Sequence, residues 1–382
     1  MTAYKYLIIG GGMTADAAVH AIRETDPQGS IGLISSDPHP PYNRPPLSKG
    51  LWKGDPEEKI WRGTDQVGAD LRLGRRVTAI QPQKKTVTDD RGNVDSYDKL
   101  LLATGGTPRR LPLQTGQIIY YRTFDDYKRL RALANEKLWF AVLGGGFIGS
   151  EVAAALRLVG REVTMIVPED GISARVFPSD LSKFLVDYYR EQGVDVRTGE
   201  GLADLQQSAG KVVVRTTHGK EIPVDVVVAG LGIQPNVELA EQAGLRVDNG
   251  IVVDEMLRTS DPNIYAAGDV ANFFNPALGT RLRVEHEDNA NSMGAAAGRS
   301  MAGKGSPYTH LPFFYSDLFA LGYEAVGELD PRLETQAVWK ERFREGVIYY
   351  LRDGKVRGVL LWNSWGQVDN ARAIIGTTKR LE

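Results

Sequence analysis

The chain contains no cysteine. That absence excludes disulfide staples, thiolate metal sites and any cysteine nucleophile or redox pair. Histidine is scarce: the five present are scattered and never fall at metal-ligand spacing, so no metal is expected. No apolar run approaches the ~20 residues needed to cross a bilayer, so no integral membrane segment is expected. The first strand signal begins within a few residues of Met1, so no signal or transit peptide is expected. The expected compartment is therefore the cytoplasm. Nor is there an excess of charge of either sign. Lys and Arg total 46 against 48 Asp and Glu, a formal net charge of −2. This lacks the basic surplus typical of nucleic-acid binding.

Glycine, in contrast, is plentiful. The 42 glycines in 382 residues exceed the usual share of roughly 7%. Without low-complexity tracts, that many glycines points to tight turns and close backbone approaches to ligands. The length suits two or three domains, each with its own core.

One pattern occurs twice. YKYLIIGGGMTADAAVHAIRE places an apolar strand (Tyr4–Ile9) before a glycine cluster and an amphipathic helix, with a second strand at Ser30–Ser35. LWFAVLGGGFIGSEVAAALRLVGREVTMIVPED repeats the order, with strands at Leu138–Leu143 and Glu162–Val167. This is the order of a dinucleotide-binding βαβ unit. Short strands lie between the copies at Thr86–Thr88 and Leu100–Ala103, and Thr123 with Asp126 forms a capping box ahead of a helix. Beyond the second copy come β-rich stretches, a Gly/Ala-rich helix near 287–302, and a tail with a hairpin signal at Asp353–Gly354.

Gly10, Gly12 and Ala15 fit G-x-G-x-x-A, and Gly144, Gly146 and Gly149 fit G-x-G-x-x-G. The first glycine of each permits the turn, and the second lets backbone touch a pyrophosphate on a helix N-terminus. One such match is weak, but two in the right context imply two dinucleotides. Where an acidic residue should hold an adenosine ribose, the first unit offers Ser36 and Asp37 and the second Glu169 and Asp170. A carboxylate about 4 Å from a 2′-phosphate would repel it by roughly 4 kcal/mol at an effective dielectric near 20. Glu169 therefore favours NADH over NADPH, although Arg175 could meet a phosphate. In TSDPNIYAAGDVA an apolar strand ends in Gly268–Asp269, where a carboxylate can accept from a ribityl hydroxyl of FAD; alone, Asp269 reads equally well as a turn residue.

Taken in order, GGGMTA, RPPLSK, ATGGTP, GGGFIGSE, GLGIQPN and AAGDVA resemble the FAD- and NAD-dependent pyridine nucleotide oxidoreductases over nearly the whole chain. Within them the chain is most similar to apoptosis-inducing factor and to the ferredoxin reductases of bacterial oxygenase systems. SSDPHPPYNRPPLSKGLW, RVEHEDNA, GYEAVG and YYLRDGKVRGVLLWN carry the likeness to the former. The resemblance implies an α/β fold of two Rossmann-like domains and a C-terminal α+β domain. The expected segments are 1–117 and 236–308 for FAD, 118–235 for NAD and 309–382 for the C-terminal domain.

The resemblance also implies roles. Arg44 and Lys49 would contact FAD, Lys49 beside flavin N5 and paired with Glu151. Phe147 would gate the flavin against the nicotinamide. Thr104 and Gly105 of ATGGTP, together with Gly232, Glu285, His286, Glu324 and Asn363, would line the FAD and NADH sites. Two residues depart from the family pattern: Ser36 stands where a glutamate commonly holds the FAD ribose, leaving that role to Asp37, and Tyr315 stands in place of a tryptophan near the flavin. The long insertion and targeting segment of the mitochondrial protein are missing. Each residue also has a plainer reading. Lys49 and Glu151 could form a surface ion pair, His286 could be structural, and Tyr315 and Trp362 could be pocket wall or core. Arg72, Arg75, Arg76, Lys84 and Lys85 read as a solvated face, with a docking patch for an acidic electron carrier as the alternative.

The expected protein is thus an FAD oxidoreductase that takes hydride from NADH. Without a thiol, electrons would pass directly to a ferredoxin- or rubredoxin-like protein, a quinone or another small acceptor. The alternative is a redox-responsive NADH-binding protein of the apoptosis-inducing-factor kind, with slow turnover, a long-lived reduced complex and a changed surface or homodimer as output. The prolines of PYNRPPLSKGLW are expected to make a stiff, extended scaffold that presents Arg44 and Lys49.

Overall fold

The computed structural model describes residues 1–112, 118–208 and 210–381. The expected boundary at 117/118 therefore abuts residues outside the described set. Contacts divide the chain into two compact units, the first comprising 1–43, 57–107 and 234–313 and the second 44–56, 108–233 and 314–382.

The first unit is built on a parallel sheet. Asp70–Arg72, Ile31–Ile34, Ala3–Ile9, Val94–Leu102 and Ile264–Ala266 lie side by side in that order, every neighbouring pair parallel. An antiparallel meander of Val77–Gln81 and Thr86–Asp89 extends the sheet from Val94–Leu102. The central strands are apolar on both faces, as a sheet covered on both sides requires; Leu7, Ile8, Leu100, Leu101 and Leu102 are fully buried. Two helices, Met13–Thr25 and Glu287–Met301, pack together through small residues. A Cβ on Gly294 would collide with the Thr14 carbonyl oxygen, and one on Gly298 would sit 2.5 Å from that of Ala18. Arg62 ties three segments of this unit. It donates to Asp16 at 2.6 Å, to Asn43 at 2.6 Å and to Asn291 at 3.0 Å.

The second unit has its own parallel sheet, ordered Val194–Thr198, Glu162–Val167, Trp139–Leu143, Val226–Ala229, Ile118–Tyr120. Helices Phe124–Glu136, Phe147–Leu158 and Ser179–Glu191 accompany it, the first opened by the reciprocal Thr123–Asp126 capping box. The C-terminal sheet belongs to the same compact unit, with the strand order Phe313–Leu318, Leu321–Gly327, Lys355–Trp362, Glu345–Arg352, Glu334–Glu341. Aromatic packing explains the grouping. Phe177, fully buried, meets Tyr323 edge-on at 5.0 Å and Trp362 at 5.8 Å, while Tyr323 and Trp362 stack. Such pairs add roughly 0.5–1.5 kcal/mol each beyond the area they bury. The tail hairpin turns at Asp353 (φ 51°) and Gly354 (φ 72°), the positive pair of a tight type I′ turn.

One expectation fails. PYNRPPLSKGLW is not an extended scaffold: Pro45–Ser48 and Gly50–Lys53 form consecutive 3₁₀ turns. The fixed proline φ suits a 3₁₀ turn as well as an extended chain, and the first turn needs no proline N–H. Tertiary contacts decide between them. The Leu47 carbonyl accepts from the Trp52 indole at 2.8 Å and from the buried Tyr121 hydroxyl.

In the second glycine loop, a Cβ on Gly149 would collide with the Gly144 carbonyl oxygen, a backbone atom that cannot rotate away. Gly149→Ala should therefore destabilise the protein by about 1–3 kcal/mol, read as a lower urea midpoint. An unchanged midpoint would show that the loop is not as tight as described.

Candidate functional site

Both glycine loops have the backbone form a dinucleotide needs. In the first unit Gly10 has φ 129°, and a Cβ there would collide with the Ala103 carbonyl oxygen. Gly12 caps the Met13–Thr25 helix with no side-chain hydrogen bond to its first turn, and Ala15 is fully buried beneath it. In the second unit a Cβ on Gly144 would lie 2.6 Å from the Gly230 carbonyl oxygen, so only glycine fits. Gly146 caps Phe147–Leu158, again without a side-chain cap, and faces open space. Each helix thus begins at a glycine that supplies no side-chain cap and keeps bulk away from its first turn. A pyrophosphate fits both cradles.

The other first-unit candidates fall into two groups. Ser36 is exposed and Asp37 half-buried; the Asp37 carboxylate accepts from the His39 amide at 3.0 Å and the Tyr42 hydroxyl at 3.1 Å. Thr104 and Gly105 are held by Asn236, whose amide group donates to the Thr104 carbonyl at 2.8 Å and whose backbone N–H donates to that of Gly105 at 3.0 Å. Gly268 (φ 76°) leads the turn that carries Asp269 and abuts Thr14. Arg283 joins this group, donating to the Asp269 carbonyl at 3.1 Å and pairing with Glu285 at 2.6 Å. His286 caps the Glu287–Met301 helix. Burial pulls its imidazole pKa down to about 4, against the opposing pull of Asp269 and Asp288, so it is neutral at physiological pH.

The second unit brings the expected charge pair together. Lys49 Nζ lies 2.6 Å from Glu151 Oε1, and the side chains are 13% and 4% exposed. That burial rules out the surface ion pair. The same Oε1 accepts from Ser316 Oγ at 2.6 Å, and Oε2 accepts from Ser48 Oγ at 2.6 Å. Lys49 Nζ also sits 5.1 Å above the centre of the Tyr315 ring. Phe147, half-buried at the first position of its helix, meets Phe314 edge-on at 5.3 Å. Glu169 is bound by Arg175 at 2.6 Å, with the arginine 84% exposed. Gly232 takes φ 77° and its carbonyl accepts from the Arg109 amide. Arg44 is half-buried at the start of the first 3₁₀ turn.

Two second-unit candidates make bonds to nearby backbone. Asn363 (φ 48°) exchanges hydrogen bonds with Gly322 at 2.7 and 2.8 Å, and Glu324 accepts from the Gly366 amide at 3.1 Å. Trp362 is core, fully buried. In the first unit, the basic cluster is partly neutralised: Arg72 binds Asp95 at 2.5 Å and Arg75 binds Asp89 at 3.2 Å. Sequence reasoning missed Ser48 and Ser316 as partners of Glu151, and Trp52 and Tyr121 as the clamp on Leu47. A lone serine carries no spacing signal, so nothing in the sequence could mark either one.

Residues 4–294 match the pattern of the pyridine nucleotide-disulphide oxidoreductases, and residues 297–342 and 340–377 match the C-terminal domain of mitochondrion-associated apoptosis-inducing factor. The chain is 35% identical to "Apoptosis-inducing factor 1, mitochondrial" of Dictyostelium discoideum, over 99% of this chain and 79% of that protein. It is 37% identical to the anthranilate 1,2-dioxygenase system ferredoxin–NAD(+) reductase component of Burkholderia cepacia, over 86% and 82%. The putidaredoxin reductase of a covalent complex with putidaredoxin superposes with a TM-score of 0.92 at 31% identity, covering 98% of this chain and 94% of that one. The match over residues 4–294, most of the chain, settles the family: this chain belongs to the pyridine nucleotide-disulphide oxidoreductases.

Proposed function

We propose that this protein is an NADH-dependent, FAD-containing reductase that delivers electrons to a ferredoxin-type carrier. The observation that carries the reading is the Lys49–Glu151 pair, buried just after RPPLS in a chain with no thiol to take electrons. The names of the relatives, a ferredoxin–NAD(+) reductase and a reductase crosslinked to putidaredoxin, support the choice of acceptor. Overall, NADH and two oxidised carriers would give NAD⁺, two reduced carriers and one proton.

Hydride acceptance and single-electron release are chemistry supplied by FAD when it is bound; the protein supplies binding, orientation and field. We assign Gly10, Gly12 and Ala15 to the FAD pyrophosphate and Asp37 to its ribose, since Ser36 is too short to bridge two hydroxyls. Asp269 is assigned to the ribityl chain, with Arg44, Thr104, Gly105, Glu285 and His286 as further FAD contacts. A neutral His286 adds no charge there. Gly144, Gly146 and Gly149 are assigned to the NADH pyrophosphate. Gly232, Glu324 and Asn363 would line the nucleotide sites, the last two through atoms their backbone partners leave over. Phe147 guards nicotinamide entry from the first turn of its helix. Lys49, oriented by Glu151 and the Tyr315 ring, is assigned to the flavin edge, where a fixed positive charge favours an electron-rich ring.

NADH is the preferred nucleotide. Glu169 ends the Glu162–Val167 strand region where an adenosine ribose is held, and its carboxylate would repel a 2′-phosphate. Arg175 is 84% exposed, so its pair with Glu169 is screened and offsets little of that repulsion. Glu169→Ala should narrow the NADH/NADPH ratio of kcat/KM by about tenfold. An unchanged ratio would remove Glu169 from selectivity.

The carrier assignment is tested by NADH-driven turnover with a [2Fe–2S] ferredoxin, a quinone and oxygen in parallel, following the flavin spectrum. Fast, repeated reduction of ferredoxin is expected. Failure with every acceptor, together with a long-wavelength band lasting many minutes in air, would favour the redox-responsive reading that the match to the apoptosis-inducing-factor C-terminal domain keeps in play.

A further inference from the structure

In the second unit the chain leaves Trp139–Leu143 for one edge of the parallel sheet and returns as Val226–Ala229 on that strand's other side. Ligands of open α/β sheets bind at such a point, in the crevice outside the carboxyl ends of the strands. Its two walls are glycine loops, residues 144–149 after the first strand and 230–232 after the second. They touch backbone to backbone: a Cβ on Gly230 would lie 2.7 Å from the Gly149 nitrogen. Neither wall carries a cation, since GGGFIG and GLG have no charged side chain. The pyrophosphate assigned to this crevice brings two negative charges, whereas a helix N-terminus answers with about half a positive one.

Arg109 is anchored on the second of these walls. Its amide donates to the Gly232 carbonyl at 2.9 Å, which fixes its backbone against the loop. Gly232 is two residues beyond Gly230, at most about 7 Å along an extended chain, and an arginine side chain spans a comparable length. Arg109 is exposed, and among the described residues its guanidinium makes no hydrogen bond or ion pair. Two other arginines of this unit are committed elsewhere. Arg110 lies over the Tyr120 ring, 5.0 Å from its centre, and Arg175 is held by Glu169 at 2.6 Å. The segment is also tied beyond Arg109, where the Leu111 amide donates to the Tyr120 hydroxyl at 3.0 Å. An arginine with a fixed backbone and a free fork thus stands beside a crevice that lacks positive charge.

We infer that Arg109 binds the pyrophosphate of the nicotinamide nucleotide and supplies the charge that the two glycine loops lack. A guanidinium offers phosphate oxygens two parallel N–H groups, a geometry that an ammonium group cannot copy. The phosphates would then lie between the backbone N–H groups of one loop and a side chain anchored on the other. This deepens the function proposed above, because it rests on the assignment of the NADH pyrophosphate to this crevice.

The test is isothermal titration calorimetry of the purified protein, carrying its FAD, with ADP-ribose, which has the pyrophosphate but no nicotinamide to reduce the flavin. Arg109→Ala should bind ADP-ribose about tenfold more weakly than the parent. Arg109→Lys should fall between the two, because it keeps the charge without the fork. The gap between parent and Arg109→Ala should narrow as potassium chloride is raised to about 1 M, where the screening length is about 3 Å. Since no partner in the fold is lost, Arg109→Ala should melt at the parental temperature. Unchanged ADP-ribose binding overturns the inference. So does a loss of the same factor at every salt concentration, which marks a change in the shape of the loop. A parent that fails to bind ADP-ribose removes the nucleotide assignment of this crevice, and the inference with it. A parent that binds it but reduces no carrier removes only the proposed acceptor.

Discussion

The second unit depends on giving one carboxylate its partners where water scarcely reaches. Glu151 is 4% exposed, and an unpaired carboxylate at that depth would cost several kcal/mol. Lys49, Ser48 and Ser316 meet that cost together. Because they come from the 3₁₀ turns and the C-terminal sheet, the same bonds hold these segments to the Phe147–Leu158 helix. Removing one partner of such a pair is expensive, about 3–5 kcal/mol, because the other charge is left behind. The carboxylate therefore acts as both a structural joint and the setting for a cation.

The neighbouring turns follow from this. Lys49 is delivered by a 3₁₀ turn whose Leu47 carbonyl is clamped by Trp52 and Tyr121, so its backbone is fixed before its side chain is. The Tyr315 ring beneath the ammonium group limits where it can move. The glycine loop just before Glu151 is as constrained, for another reason: Gly149 and Gly144 touch backbone to backbone, while Gly146 keeps open space for a ligand. Stiff elements on both sides of one helix N-terminus suit a site that must orient a cofactor and not reshape around it.

How much of this the sequence revealed depended on whether the signal was local. The two βαβ units were legible because strand, glycine loop and helix follow one another within about 30 residues, each with its own period. The Thr123–Asp126 cap and the Asp353–Gly354 hairpin were legible for the same reason. Lys49 and Glu151 were paired only through a family resemblance, since 102 residues separate them. Ser48 and Ser316 escaped notice because a serine becomes significant only when folding delivers it to a buried carboxylate. The shape of PYNRPPLSKGLW was misjudged because proline restricts φ without choosing ψ, and partners elsewhere in the chain made that choice. The basic cluster looked more available than it is, since Asp95 and Asp89, which neutralise Arg72 and Arg75, arrive from other strands.

Under the proposed function, Lys49 and Glu151 would act on the flavin as a single unit. A double-mutant cycle on the flavin midpoint potential tests it most directly, using Lys49→Met, Glu151→Gln and the two combined. Residues that work as one unit should give a double-variant shift departing from the sum of the single shifts by roughly 0.5–3 kcal/mol. Shifts that simply add would contradict the account.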